Sequence, residues 1–419
     1  MAAEENLEKF EILFEEPRAV FYAGQKVTGR VFVRNNLTKK FKGIKVTFEG
    51  VAHAEWSGSR ALQEGEQVGP SLKEQRPQLA QAARQQRLGL DKNHRQPAEE
   101  TWQGPDTVRV AISNDERYFQ TEFYLVGSKA EDGAEKICVD AGELSYPFEF
   151  SLPKRIPSSF EGSFGHVRYT VRAVMERPWA SDLHTQAPFT VVCPLDLNAN
   201  PSLAEPVQVA KVKKFCSIWC ASGPVNVTFT LASGGAVPGE FLLPSLDVEN
   251  NSKLHLHLIK LKFSQIVTYK DRTGSETLRH ETILAEQNVG KVDSGDSRLF
   301  DRLHFYVPPL PPSNTTHCTF IDVQYYLKAN FYPSACYPAF SAKLAVVLGT
   351  IPLHKNFGRC HPCEETPPVG WNLNALDQNS SLYAHLPPPS YEQVEKDEDV
   401  FTPKYPVHKQ TLRFEEPKA

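Results

Sequence analysis

Pro388-Pro389-Ser390-Tyr391 is the stretch of this 419-residue chain whose residue types and spacing carry the clearest chemistry. Consecutive prolines hold a backbone in polyproline II, so little entropy is lost on docking. A P-P-x-Y tetrapeptide suits an aromatic-lined groove such as that of a WW domain. The proline pair fills the groove, and the tyrosine ring enters an adjoining pocket while its hydroxyl keeps a polar partner. Thr402-Pro403-Lys404-Tyr405 keeps the spacing but has threonine for the first proline, so Pro403 and Tyr405 read as a weaker second copy. Such a copy would act through the high local concentration that the first creates.

The other reactive side chains form no comparable pattern. Cys216 and Cys220 are close in sequence, as are Cys360 and Cys363. With His354 and His361 nearby, the second pair has zinc-donor chemistry, but no second couple lies at a matching spacing. The thirteen histidines are scattered, and His53, His166 and His317 fall beside strands, where they need only be half-buried polar residues. No phosphate-binding G-x-x-x-x-G-K-[ST] loop, G-x-S-x-G elbow or H-E-x-x-H helix occurs. A net charge of −4 offers no basic field for nucleic acid. We therefore expect a binding protein, with no catalytic residues, no cofactor and no metal. The opening MAAEENLEKF lacks the basic start and apolar run of a secretory signal, and the apolar stretch Leu344–Leu353 is too short to span a bilayer, so a cytoplasmic location is expected. In a reducing compartment most of the eight cysteines should be free and buried.

The elements that must hold such a tail are strands. Val27, Gly29, Val31 and Val33 share one face, as do Ile44, Val46 and Phe48, then Val167, Tyr169, Val171 and Ala173, then Val323, Tyr325, Leu327 and Ala329. This period-two alternation, broken by Gly, Pro and Asn, predicts β-sandwiches. The chain also repeats itself. At an offset of 215, Gly24 meets Gly239, Val33 meets Val248, and IKVTF from Ile44 meets IKLKF from Ile259. Later the offset falls to about 155, where VRYTVRA from Val167 meets VQYYLKA from Val323. The fall implies about 60 extra residues in the first copy. They are visible as a polar, Gln- and Arg-rich insertion at about 60–107, read as a surface loop or disordered segment in which Leu79, Ala83 and Leu90 hint at a weakly amphipathic helix. The expected plan is all-β: a sandwich over 7–195, a second over 215–353, and a disordered Pro-rich tail over 354–419.

Phe160-Glu161-Gly162, Gly165-x-Val167-Arg168-Tyr169 and Arg177-Pro178-Trp179, in tandem sandwiches, resemble the arrestin-domain-containing proteins, the α-arrestins. So do FCSIWCASGPV from Phe215, GTIPLH from Gly349 and YAGQKVTGRV from Tyr22. The resemblance covers nearly the whole chain, although the insertion departs from the pattern. It implies immunoglobulin-like N- and C-lobes packed end to end, and adaptor work. In that reading the lobes meet membrane receptors or transporters as cargo. The tail recruits a HECT-type ubiquitin ligase through its WW domains, and the cargo is ubiquitinated and sent to endosomes and lysosomes. Recruitment from the cytoplasm to plasma membrane and endosomes by peripheral association follows. Lys396 and Lys404 lie near the docking peptide, which makes them candidates for ubiquitination of the adaptor itself.

Two rival readings stay open. One is the thioredoxin-interacting branch, with Cys216, Cys220 or Cys318 forming a mixed disulfide, which requires a depressed thiol pKa and exposure. The other is a ligase-independent arrestin-like sorting subunit, against which the P-P-x-Y tail argues. Two lysine clusters, Lys39/Lys40/Lys42 in an expected turn and Lys211/Lys213/Lys214 at the start of the second lobe, suit either solvated turns or contact with acidic lipid and phosphorylated cargo tails.

Overall fold

The computed structural model describes residues 7–61, 107–128, 137–139, 141–354 (except 179, 218, 219, 302, 314–316, 335 and 336) and 401–406. Almost all of the expected insertion, and most of the expected tail including Pro388–Tyr391, lie outside the described residues. The chain divides into a unit of residues 1–54 and 114–419, which holds both lobes, and a smaller one of 55–113, of which only strand ends are described. The described residues are all-β and fold as two lobes.

The N-lobe carries β1 (Leu7–Phe14), β2 (Val20–Tyr22), β3 (Lys26–Asn35), β4 (Lys39–Phe41), β5 (Gly43–Ala61), β6 (Thr107–Gly127), β7 (Ile137–Val139), β8 (Gly142–Ser151), β9 (Phe160–Gly162), β10 (Gly165–Glu176) and β11 (Leu183–Val192). One sheet runs β1-β3-β8, and the other runs β2-β11-β10-β5-β6 with β9 on β10. Alternation decides which face is inside. Val27, Val31 and Val33 of β3 and Ile44, Val46 and Phe48 of β5 are buried, while Thr28, Arg30, Phe32, Lys45, Thr47 and Glu49 at the alternate positions are not. Phe48 lies edge-on to Phe148 at 5.5 Å and stacks on Phe150 at 4.6 Å, while Phe14 meets Phe21 and Phe189. Burying one such ring stabilises the lobe by about 1.5–3 kcal/mol. Lys39–Phe41, expected in a turn, forms β4 and pairs with β7, the apolar Phe41 being buried at the strand's end.

The C-lobe carries β12 (Val207–Lys213), β13 (Cys216–Ser217), β14 (Cys220–Ala221), β15 (Val225–Leu231), β16 (Gly235–Ala236), β17 (Phe241–Leu242), β18 (Pro244–Asn250), β19 (Leu256–Lys270), β20 (Thr277–Val292), β21 (Ser297–Phe300), β22 (Phe305–Tyr306), β23 (Ile321–Pro333) and β24 (Phe340–Leu348). Its sheets run β12-β15-β18-β21 and β16-β24-β23-β19-β20. The stretch before 215 is thus not all linker. Val207–Lys213 pairs along β15, which puts Lys211 and Lys213 in an edge strand.

The duplication is visible in atoms as well as letters. Gly24 and Gly239 both hold left-handed backbone, with φ of +87° and +92°, where a side chain is strained. The buried Tyr169 hydroxyl donates to Pro157 O at 2.7 Å, and Tyr325 donates to Pro311 O at 2.8 Å. Ser159 and Val191 exchange two hydrogen bonds, N–H to carbonyl at 2.8 Å and N–H to Ser159 Oγ at 2.9 Å. Ser313 and Leu348 repeat that exchange at 2.8 Å and 2.8 Å. A short parallel pair closes each sheet, β2 on β11 and β16 on β24.

Candidate functional site

Sequence alone offers Pro403 and Tyr405 to a WW domain, whereas here they lie on the N-lobe. In Phe401–Pro406 the odd residues Phe401, Pro403 and Tyr405 are half-buried, and Thr402 and Lys404 point to solvent. Lys404 N–H donates to Thr190 Oγ1 at 3.0 Å, and the Tyr405 hydroxyl donates to Ser159 O at 2.8 Å. Burial pushes the Tyr405 hydroxyl pKa far up, with Tyr325 of the C-lobe and Glu161 adding to it, so the phenol stays neutral and remains a donor.

The wall that receives the segment is held from several sides. Thr190 and Ser159 are both buried. Thr190 N–H donates to Ala19 O at 2.8 Å, Ser159 is fixed by its two bonds with Val191, and Cys193 N–H donates to Ser158 Oγ at 2.8 Å. The acceptors that Lys404 and Tyr405 use are therefore preset. Thr190, Ser159 and Phe401 were not singled out from sequence. The alternation Phe401-x-Pro403-x-Tyr405 was the signal for a one-sided contact, but Thr190 and Ser159 lie more than 200 residues away and carry no motif.

The signature around Phe160 sits beside the C-lobe. Phe160 is buried, and a Cβ on Gly162 would collide with the Tyr269 hydroxyl and with the Phe160 ring. The Phe164 ring lies edge-on to Tyr269 at 5.9 Å and to His280 at 5.3 Å. A Cβ on Gly165 would meet His53 O at 2.5 Å. Asn114 Nδ2 donates to Lys270 O at 2.8 Å, and the Thr319 N–H and hydroxyl donate to Glu116 at 3.1 and 3.2 Å. The linker adds Leu195 N–H to Thr350 Oγ1 at 2.8 Å and Asn198 Nδ2 to Pro352 O at 2.9 Å. Arg168 forks onto Glu161 at 2.6 and 2.9 Å. The Phe160–Gly165 part of the signature thus packs against the C-lobe, and Asn114, Glu116 and the linker bond to that lobe as well.

Neither Cys193 nor Cys318 is an activated nucleophile. Cys138, Cys193 and Cys318 are free. Burial raises the Cys193 thiol pKa, and burial raises that of Cys318 against an opposing hydrogen bond from Tyr118. A reactive cysteine needs the opposite shift. The side chains of Cys216 and Cys220, and all of Cys336, Cys360, His361 and Cys363, lie outside the described residues. No group of ligands able to hold a metal occurs among the described residues. Of the lysine clusters, Lys42 lines a shallow cleft with Lys45, Glu122, Glu176 and Asp182, which makes that surface mixed in charge. Lys211 Nζ donates to Ser341 O at 2.5 Å and Lys213 lies over the Phe215 ring, while Lys214 is exposed.

Comparison with known proteins agrees with this geometry. The family described as "Arrestin (or S-antigen), N-terminal domain" matches residues 10–198, and the corresponding C-terminal domain matches residues 221–353. Arrestin domain-containing protein 17 of Caenorhabditis elegans is 28% identical over 358 residues, 83% of this chain and 71% of that protein. Arrestin domain-containing protein 1 of Homo sapiens is 30% identical over 57% of this chain and 53% of its own length. Arrestin domain-containing protein 4 of Mus musculus is 28% identical over 71% and 69%. With two matched domains spanning most of its length and a lobe junction built on the expected signature, the chain belongs to the arrestin family, among the arrestin domain-containing proteins, whose domains are non-catalytic adaptor folds.

Proposed function

We propose that this protein is an adaptor that links membrane receptors or transporters to a HECT-type ubiquitin ligase. The lobes hold the cargo, and Pro388-Pro389-Ser390-Tyr391 is read by the ligase's WW domains. The observation that carries this reading is the P-P-x-Y tetrapeptide itself, placed after two arrestin lobes. Cargo ubiquitination, endocytosis and endosomal or lysosomal sorting follow, with the adaptor drawn from the cytoplasm to plasma membrane and endosomes. Proximity labelling in cells, comparing the intact chain with one ending at Leu353, tests the division of labour. Ligases lost and membrane proteins kept on truncation are the expected result. Ligases kept on truncation would refute it.

A further inference from the structure

Phe401–Pro406 has the composition of a ligand rather than of a strand. Pro403 and Pro406 lack N–H groups, so the segment cannot extend a sheet by a regular ladder. It docks through what remains: one backbone donor at Lys404, one phenol donor at Tyr405, and three apolar rings on alternate positions. The C-lobe repeats the wall with a different side chain. Thr190 N–H donates to Ala19 O, and at the matching place Val347 N–H donates to Gly234 O. Valine has the shape of threonine but no hydroxyl. The N-lobe copy alone therefore offers a side-chain acceptor for the Lys404 amide.

We propose that the Ser158–Ser159 bend and the end of β11 form a docking groove whose occupant is this chain's own Phe401–Pro406, and that docking there excludes capture of Tyr405 by a WW domain. The second half rests on the WW reading of the tail; the first half does not. A WW pocket needs the tyrosine ring and a partner for its hydroxyl, and the N-lobe holds both. Docking also tethers the first motif. Nine residues separate Tyr391 from Phe401, a leash of ten Cα–Cα steps and at most about 36 Å, so a ligase bound at Tyr391 is kept beside the lobes that would carry its target.

Hydrogen exchange on the full-length protein tests the groove. The Lys404 amide is expected to exchange at least tenfold more slowly than in the urea-unfolded chain. Tyr405→Ala should abolish that protection, and Thr190→Val, which installs the C-lobe's residue, should reduce it, both with unchanged melting of the lobes. Wild-type exchange at the unfolded rate, or full protection in both variants, overturns the proposal. Protection that rises with protein concentration assigns the groove to a second copy and overturns it too. For exclusion, a WW domain is titrated against a free 398–409 peptide and against the full-length Tyr391→Ala chain. The chain should bind at least tenfold more weakly than the peptide. Equal binding refutes exclusion. A peptide that does not bind refutes the WW reading of Tyr405 while the exchange result still decides the groove.

Discussion

The two lobes share a frame and differ where something has been added. Each closes a mixed sheet with a short parallel pair, buries a tyrosine whose hydroxyl caps a proline carbonyl, and locks a serine to the end of that sheet. The differences are local. β19 and β20 are joined by a tight turn at Asp271–Glu276, in which Asp271 accepts from Thr273, Ser275 and the Glu276 N–H, while the matching β5 and β6 are separated by residues 62–106. At the end of β11 a threonine stands where β24 has Val347. The parts held in common keep the sandwich closed.

The largest effects should come from the shared cores. Phe48→Ala and Phe263→Ala remove fully buried rings at positions 215 apart, and each should cost about 3–5 kcal/mol in urea denaturation. A cost under about 1 kcal/mol in one lobe alone would break the equivalence. Tyr169→Phe and Tyr325→Phe each leave a buried proline carbonyl without its donor and should cost about 1–3 kcal/mol. Matched losses support the duplication, and a neutral Tyr325→Phe would show that the C-lobe has abandoned this prop.

A smaller effect separates the lobes by pH. Burial pushes the His166 pKa down to about 4, with Arg168 and the cross-strand His53 acting in the same sense and Asp115 opposing them. The unfolded imidazole takes its proton near 6.5, as is usual for histidine, so protons favour unfolding. Stability should fall as pH drops below about 6.5, and the loss should level off below about 4. Because the ring is only partly buried, the loss should be about 1–2 kcal/mol. The C-lobe has Asp322 at the matching position. His166→Gln should flatten this part of the acid slope in denaturation midpoints between pH 7 and pH 4. An unchanged slope would place the acid response elsewhere.

Much of the frame was legible because strand burial has period two. Val167, Tyr169, Val171 and Ala173 read as one face and are all fully buried. Gly24 and Gly239, aligned at the 215-residue offset, also share a positive φ. The start of the second lobe was harder. Val207–Lys213 sits in a sheet-edge strand with only partial burial, so its apolar and polar residues do not alternate cleanly. The docked segment was harder still. Tyr405 looks the same in sequence whether it awaits a WW domain or donates to Ser159, because its partner comes from a distant turn and uses a backbone carbonyl, which any residue supplies.

The adaptor reading stands or falls on Tyr391. A 380–410 peptide and its Tyr391→Ala variant, titrated against an isolated WW domain, measure it directly. Loss of an aromatic anchor that fills its own pocket should weaken binding by about 2 kcal/mol or more, roughly thirtyfold. Equal affinity of the two peptides would mean that the tail does not recruit a ligase through this motif.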